Sequence, residues 1–375
     1  MHKNYIIMKT NNVFWLILGV VLCAVCVTSC KRAQGGTKVS ATGTIYECLV
    51  VIPHRTLANP QQVVSASAYT EDIVTLYDMV KATMAADMPC LPQMESYFKL
   101  TNVSPAGFDD LLKPTRNILI VDIDPARYTQ VKARYSIDYW SHPQAVYRIQ
   151  APDDEAFVAY WNEHGTKVRD WFIDQEIKRQ ISFYKASTNK EARSALQNAM
   201  HADMLIPEDY MLIRDTVFDD VRFIWCCNNK GPLRRDLVVY SYPYVSEKQF
   251  SLEALNAKRD AVLGKMISAS VPESFMGTEY KVFPPQMHIL QDNPYTVEVR
   301  GLWKIYAGEA MGGPYVSHSC LDEINQRIIT AETYILAPGQ KKRNELRKAE
   351  AILYTLQLEQ QINELKEVSV EQPRK

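Results

Sequence analysis

The chain has 375 residues, 47% of them hydrophobic and 23% charged, with a formal net charge of −1. That balance excludes a disordered chain, because enough apolar surface is present to fill a sizeable core. It also leaves no excess of positive charge with which to hold nucleic acid or an anionic surface.

The N-terminus opens with Lys3 and Lys9 and no acidic residue, then Val13 to Val27, a run of 15 uncharged, mainly apolar residues. A membrane-spanning helix needs about 20; the run has instead the length of a signal-peptide core. It closes on Val27-Thr28-Ser29-Cys30, an apolar residue, two small ones and a cysteine. This is the pattern of a bacterial lipobox, in which the cysteine is acylated and the chain is cut before it. The expectation is therefore a leader over 1–29, lipidation at Cys30, and a polar, Gly/Ser/Thr-rich tether over 30–41. Two or three acyl chains anchor such a protein stably to a membrane.

Beyond the tether the chain alternates strands and helices. Strand-like runs, rich in β-branched and aromatic residues, are ECLVVI (47–52), RNILIVDI (116–123), AVYRIQ (145–150), YMLIRD (210–215), RFIWCC (222–227), DLVVYSYPY (236–244), EYKVF (279–283), YTVEVRGLWKIYA (295–307) and RIITAETYIL (327–336). Apolar residues at Ile73, Leu76, Val80 and Met84 predict a helix over 71–88. Pro152 followed by three acids starts a helical region that runs to about Met204, with a break at Ser187-Thr188-Asn189. A further helix is expected over 250–267. The last is expected over 341–366, either docked on a sheet or offered to a partner as a short coiled coil.

Several strands between helices argue against a purely parallel sheet and for an α+β fold with antiparallel or mixed sheets. MAADM (84–88) recurs as MHADM (200–204), and FDD at 108–110 recurs at 218–220. These echoes suggest a tandem duplication of a helix–three-strand unit, with one half over 42–185 and the other, carrying the C-terminal helix, over 186–375. A single fused domain is the alternative. After Cys30 five cysteines remain, Cys48, Cys90, Cys226, Cys227 and Cys320. Two readings stand for them: buried thiols, or at least one disulfide.

No phosphate-binding loop, GxSxG elbow or HExxH motif occurs. His201-x-Asp203 and His318-x-Cys320 each offer two metal ligands without a third, and two do not make a zinc site. No catalytic residue, metal or cofactor is assigned. The string RGLWKIYAGEAMGGPYVSHS (300–319) sets Trp303, Tyr306, Met311 and Tyr315 among Gly308, Gly312, Gly313 and Pro314. Arg300, Trp303, Tyr306, Met311, Gly312, Gly313 and Tyr315 are read as a candidate ligand or partner surface, a strand with a glycine-rich turn and an exposed aromatic rim. The opposing reading folds the aromatics into the core.

The lipobox, ECLVVI, RNILIVDI, DWFIDQEIKRQISFY (170–184), LVVYSYPY, RGLW, MGGPY and KRNELRKAEAILYTL (342–356) together resemble an uncharacterised family of Bacteroidetes lipoproteins, a domain of unknown function. The resemblance implies an exported, lipid-anchored α+β protein and supplies no activity or site residue. Lys31 after the cysteine is not an acidic retention signal, so sorting in such bacteria implies the outer membrane, facing the periplasm. The expected role is a binding or interaction module for an envelope glycan, peptide or protein; the alternative is a hydrolase acting on an envelope polymer.

Overall fold

A computed structural model describes residues 38–58, 75–231, 233–267, 271–292 and 294–363. The leader, Cys30 and most of the tether lie outside these residues. The elements below lie within Ser40–Lys375, which forms one unit by its internal contacts.

The fold is α+β, built on two sheets. The first holds β1 (Glu47–Val51), β2 (Lys99–Val103), β3 (Asn117–Ile123), β4 (Lys132–Ile137) and β5 (Ala145–Ala151), in the order β2-β1-β3-β5-β4. Its first four neighbours are parallel, and β4 alone runs antiparallel at one edge. The second sheet holds β6 (Met211–Phe218), β7 (Val221–Lys230), β8 (Leu233–Pro243), β9 (Phe275–Glu279), β10 (Gln286–Asp292), β11 (Tyr295–Tyr306), β12 (Gly312–Asp322) and β13 (Arg327–Leu336). It is antiparallel in the order β9-β11-β12-β13-β8-β7-β6, and β10 pairs with the first half of β11.

Helices α1 (Leu76–Met84) and α2 (Asp154–Lys185) belong to the first sheet; α3 (Lys190–Met200), α4 (Leu252–Met266) and α5 (Arg343–Leu353) belong to the second. Their ends follow local chemistry. The Asp153 carboxylate accepts from the Ala156 amide at 2.8 Å and starts α2. Asn189 accepts from the Ala192 amide at 2.9 Å and starts α3, which is why the long helical region breaks where it does. The C-terminal helix stops at Leu353 rather than running through to 366, and Gln357 then pairs with Asp203.

Helix α2 packs on α5, so helices fill the space between the sheets. One apolar core joins Val50, Val121, Phe172 and Ile177 of the first segment to Val239, Val316, Ile335 and Ile352 of the second. A second core lies on the far side of the antiparallel sheet under α4. A third and smaller one, Leu49, Val51, Ile118, Ile120 and Val146, lies on the outer face of the parallel sheet.

The duplication is not seen. Met84 and Met200 are each the last, fully buried residue of a helix. Past them the paths differ: β2 and β3 flank β1 in parallel, whereas β6 and β7 form an antiparallel hairpin. The two FDD strings make different turns. Asp109 accepts from the amides of Leu111 and Leu112, while Asp219 takes a left-handed φ of 49° in a two-residue hairpin turn. Acids favour both kinds of turn, so the recurrence reflects turn chemistry.

Candidate binding face and a sealed charge cluster

The 300–319 string does not form an exposed rim. It supplies most of β11 and β12, two neighbouring interior strands. Trp303 is 4% exposed and Tyr315 is fully buried, both in the core under α4. The indole N–H of Trp303 donates to the Ile335 carbonyl at 3.3 Å, and the Tyr315 hydroxyl donates to Asn256 at 2.9 Å beneath the Arg259 guanidinium. Tyr306 stacks on Phe275 and donates to the Thr278 carbonyl at 2.7 Å. Met311 is half-buried at the end of the turn.

The glycines are explained by close approach inside the sheet. A Cβ on Gly313 would lie 2.0 Å from the Ile335 carbonyl oxygen, and one on Gly301 would lie 2.6 Å from the Tyr315 ring. Gly312 opens β12, and the turn itself lies at 307–311. Pro314 is tolerated because the ladder between β12 and β13 begins only at Tyr315.

Arg300 sits on the other face of β11, in a closed cluster. Its guanidinium donates to Glu298 at 2.5 and 3.0 Å and to Glu350 of α5. Arg347 donates to both oxygens of Glu350 at 3.0 and 3.1 Å. His318 and His288 approach the two oxygens of Glu298 at 3.1 and 2.7 Å. Glu298, Arg300, His318, Arg347 and Glu350 are all buried. Burial opposes the charge of Glu298, but Arg300 and the histidine hydrogen bonds outweigh it and hold the carboxyl well below its ordinary range. Two carboxylates against two guanidiniums leave the cluster compensated before the histidines are counted.

His318 and Cys320 share a strand but not a site, since the Cys320 sulfur pairs with the Thr296 hydroxyl. His201 is the left-handed cap of α3, and Asp203 accepts from Arg193. The five cysteines are buried free thiols; burial pushes those of Cys48, Cys226 and Cys227 up to about 12.

A different surface has the open chemistry. Both α1 and α2 pack into the main core, on one side of the parallel sheet. The other face is covered, among the described residues, by Phe108, Leu112 and Trp140 over its small core. The strand registers set out what remains. Ile118, Val146 and Ser136 form one row across β3, β5 and β4; Ile120, Arg148 and Arg134 form the next; Asp122, Gln150 and Lys132 form a third. Apolar residues therefore give way to polar ones toward the β4 edge. There Arg134, Ser136, Tyr139, Val146, Arg148 and Gln150 line a cleft of about 300 Å³.

Arg134 stands directly opposite Arg148 in the antiparallel register. Like charges in that relation destabilise a sheet, yet among the described residues neither has an acidic partner. Asp122, the nearest acid in the grid, accepts from the Tyr128 hydroxyl at 2.6 Å and lies 3.7 Å from Arg127. Gln150 in turn donates to Tyr128 at 2.8 Å. The result is two uncompensated guanidiniums with a hydroxyl, an amide and an aromatic ring beside them, a donor set suited to carboxylate or phosphoryl oxygens.

The sequence reading missed these residues. A signal was present: AVYRIQ puts Val146, Arg148 and Gln150 on one face, where a strand buried on both sides should be apolar throughout. ARYSIDY (133–139) likewise alternates a polar set with an apolar one.

Two families match the chain, each over part of it. Residues 41–185 match the Domain of unknown function (DUF8532), and residues 187–355 match the Domain of unknown function (DUF4837). No curated protein matches. Two solved structures, a point mutant of Protein Mog1 and the Saccharomyces cerevisiae Ran-binding protein Mog1p, align with 42% of this chain and 90% of their own, at 8% identity and a TM-score of 0.27. That score is too low to establish a shared fold. Each of the two sheets is thus similar to its own family of unknown function, and the two matches meet at the break between α2 and α3.

Proposed function

We propose that the protein is an exported binding module, anchored to the outer membrane through acylated Cys30 and facing the periplasm, and that the open face of its parallel sheet holds an envelope ligand by acidic groups. One observation carries the reading: Arg134 and Arg148 oppose each other across β4 and β5, and among the described residues no acid pairs with either. A ligand that supplies a carboxylate or phosphoryl group relieves that repulsion and gains charge-assisted hydrogen bonds. Tyr139 adds an aromatic surface at the rim, 59% exposed. Paired carboxylates are the pattern of a glycoside hydrolase, and the buried pair Glu298 and Glu350 does not supply it, because both are held by Arg300.

The anchor and the face are tested separately. Cys30→Ser should give an unprocessed or released protein, read by mass spectrometry of the mature N-terminus. An intact peptide spanning residues 20–35 in the membrane fraction of the unaltered protein would overturn the anchor. For the face, hexaglutamate and oligogalacturonate are titrated against the full chain and against Arg134→Ala/Arg148→Ala. Binding that falls at least tenfold in the double variant supports the site; equal binding by both proteins, or by neither, removes it.

A further inference from the structure

We infer that the outer edge of β4 accepts an extended peptide as a sixth strand of the parallel sheet, with acidic side chains on one face and apolar side chains on the other. This rests on reading the Arg134–Arg148 face as a site for acidic groups.

Strand β4 pairs with β5 on one side, and among the described residues nothing pairs with its other side. An unpaired edge is a template for another strand. Bulges, prolines and extreme shortness, which often block one, are missing here. The register with β5 runs unbroken from Lys132 to Ile137, with no bulge and no proline, and six residues make the strand of ordinary length. Its guards are Lys132 and Arg134. These repel another basic strand, β4 of a second copy included, and attract an acidic one, so the edge selects its partner by charge.

The two faces of β4 then set the pattern of that partner. Lys132, Arg134 and Ser136 point to the open face, in line with Arg148 and Gln150 and the cleft of about 300 Å³. Ala133, Tyr135 and Ile137 point to the helix side, where Tyr135 packs on Trp171 with ring centroids 5.3 Å apart. That side carries its own cleft of about 320 Å³, whose apolar part is Ile137, Pro143 and Phe183 and whose remaining lining, Asp138, Lys178 and Arg179 among it, is polar or charged. Ile137 is 51% exposed there and Phe183 72%. Both clefts therefore adjoin the same edge strand, one on each face. A strand added about 4.8 Å beyond β4 continues the alternation. Every second side chain lies beside the arginines, and the others lie beside Ile137 and Phe183. Main-chain hydrogen bonds supply affinity and the two clefts supply specificity, as in other cases of strand addition.

The test uses the full chain and five acidic probes: a hexapeptide of alternating glutamate and valine; the same peptide N-methylated at alternate residues, in each of the two registers; a block isomer with three glutamates followed by three valines; and oligogalacturonate. The alternating peptide should bind at least tenfold more tightly than the block isomer. N-methylation in one register should abolish binding, and in the other leave it within about twofold. Arg134→Ala/Arg148→Ala should weaken the alternating peptide at least tenfold, and Phe183→Ser should weaken it without altering the affinity for oligogalacturonate. If oligogalacturonate and the block isomer bind as well as the alternating peptide, or if neither methylated register loses affinity, strand addition is overturned while the acidic site stands. If no acidic probe binds, both readings fall together.

Discussion

Arg300 and Arg148 both project from interior strands, and the difference between them separates structure from recognition. Arg300 is enclosed by Glu298 and Glu350, with Arg347 and His318 completing a sealed and compensated group. Arg148 has an arginine opposite it and an isoleucine on its other side. Burying a guanidinium is tolerated when its charge and donors are matched, so a matched one belongs to the fold. A pair left unmatched at a cleft weakens the sheet, and that penalty is offset only when something else binds.

Breaking the sealed cluster should give the largest effect. Glu350→Gln leaves Arg300 and Arg347 short of a countercharge, and removing one partner of a buried pair costs about 3–5 kcal/mol. Urea unfolding of this variant should show it as a large fall in midpoint with little change in slope. Trp303→Ala and Tyr315→Ala remove buried aromatics and should also cost about 3–5 kcal/mol each. A Trp303→Ala protein that melts like the original would restore the exposed rim.

Acid should distinguish the two regions next. Arg300 and the histidines hold Glu298 below its ordinary range against the penalty of burial. Glu176, buried beside Arg116 and Arg179, is likewise held low. A lowered carboxyl favours the native state above its unfolded pKa of about 4.3, and that support is lost as pH falls through the native value. The contribution of these two carboxyls should therefore be constant near neutrality and be lost below about pH 4. Arg134→Ala/Arg148→Ala should leave this profile unmoved, whereas Glu298→Gln should make the acid loss shallower and leave the part due to Glu176.

Smaller still is the effect expected of the open pair on stability itself. Arg134→Ala or Arg148→Ala should shift the unfolding free energy by no more than about 0.5 kcal/mol, in the stabilising direction, because a repulsion is removed. A larger loss would mean that the arginines hold the sheet together. Least of all should happen at the thiols: Cys48, Cys226, Cys227 and Cys320, buried and raised by that burial, should resist iodoacetamide at pH 8 until the protein is unfolded.

Local signals made much of this fold legible. Asp153 and Asn189 cap the helices they announce, and RIITAETYIL forms β13 nearly residue for residue. The α+β class followed from strands outnumbering helices in runs. Strand partners did not follow, because an apolar run says that a strand is buried and not beside what. The residues of 99–103 and 132–137 were missed as strands for a related reason: both are edge strands, largely solvated and without an apolar run. At the site the misreading began with glycine. Gly313 signals close backbone approach, and the sequence does not say whether the approaching group is a ligand or, as here, the Ile335 carbonyl. Arg134 and Arg148 lie fourteen positions apart, and only the β4–β5 register makes them opposite.

The apolar core that runs through both sheets also bears on how the chain behaves as a thermodynamic whole. Val121, Phe172 and Ile177 belong to the same core as Ile335 and Ile352, so the two family segments share one interior. Heating should then produce one cooperative transition in place of two. A cut at the α2–α3 break would yield two fragments that each expose half of a shared interior, and that can be recovered in soluble form only when expressed together.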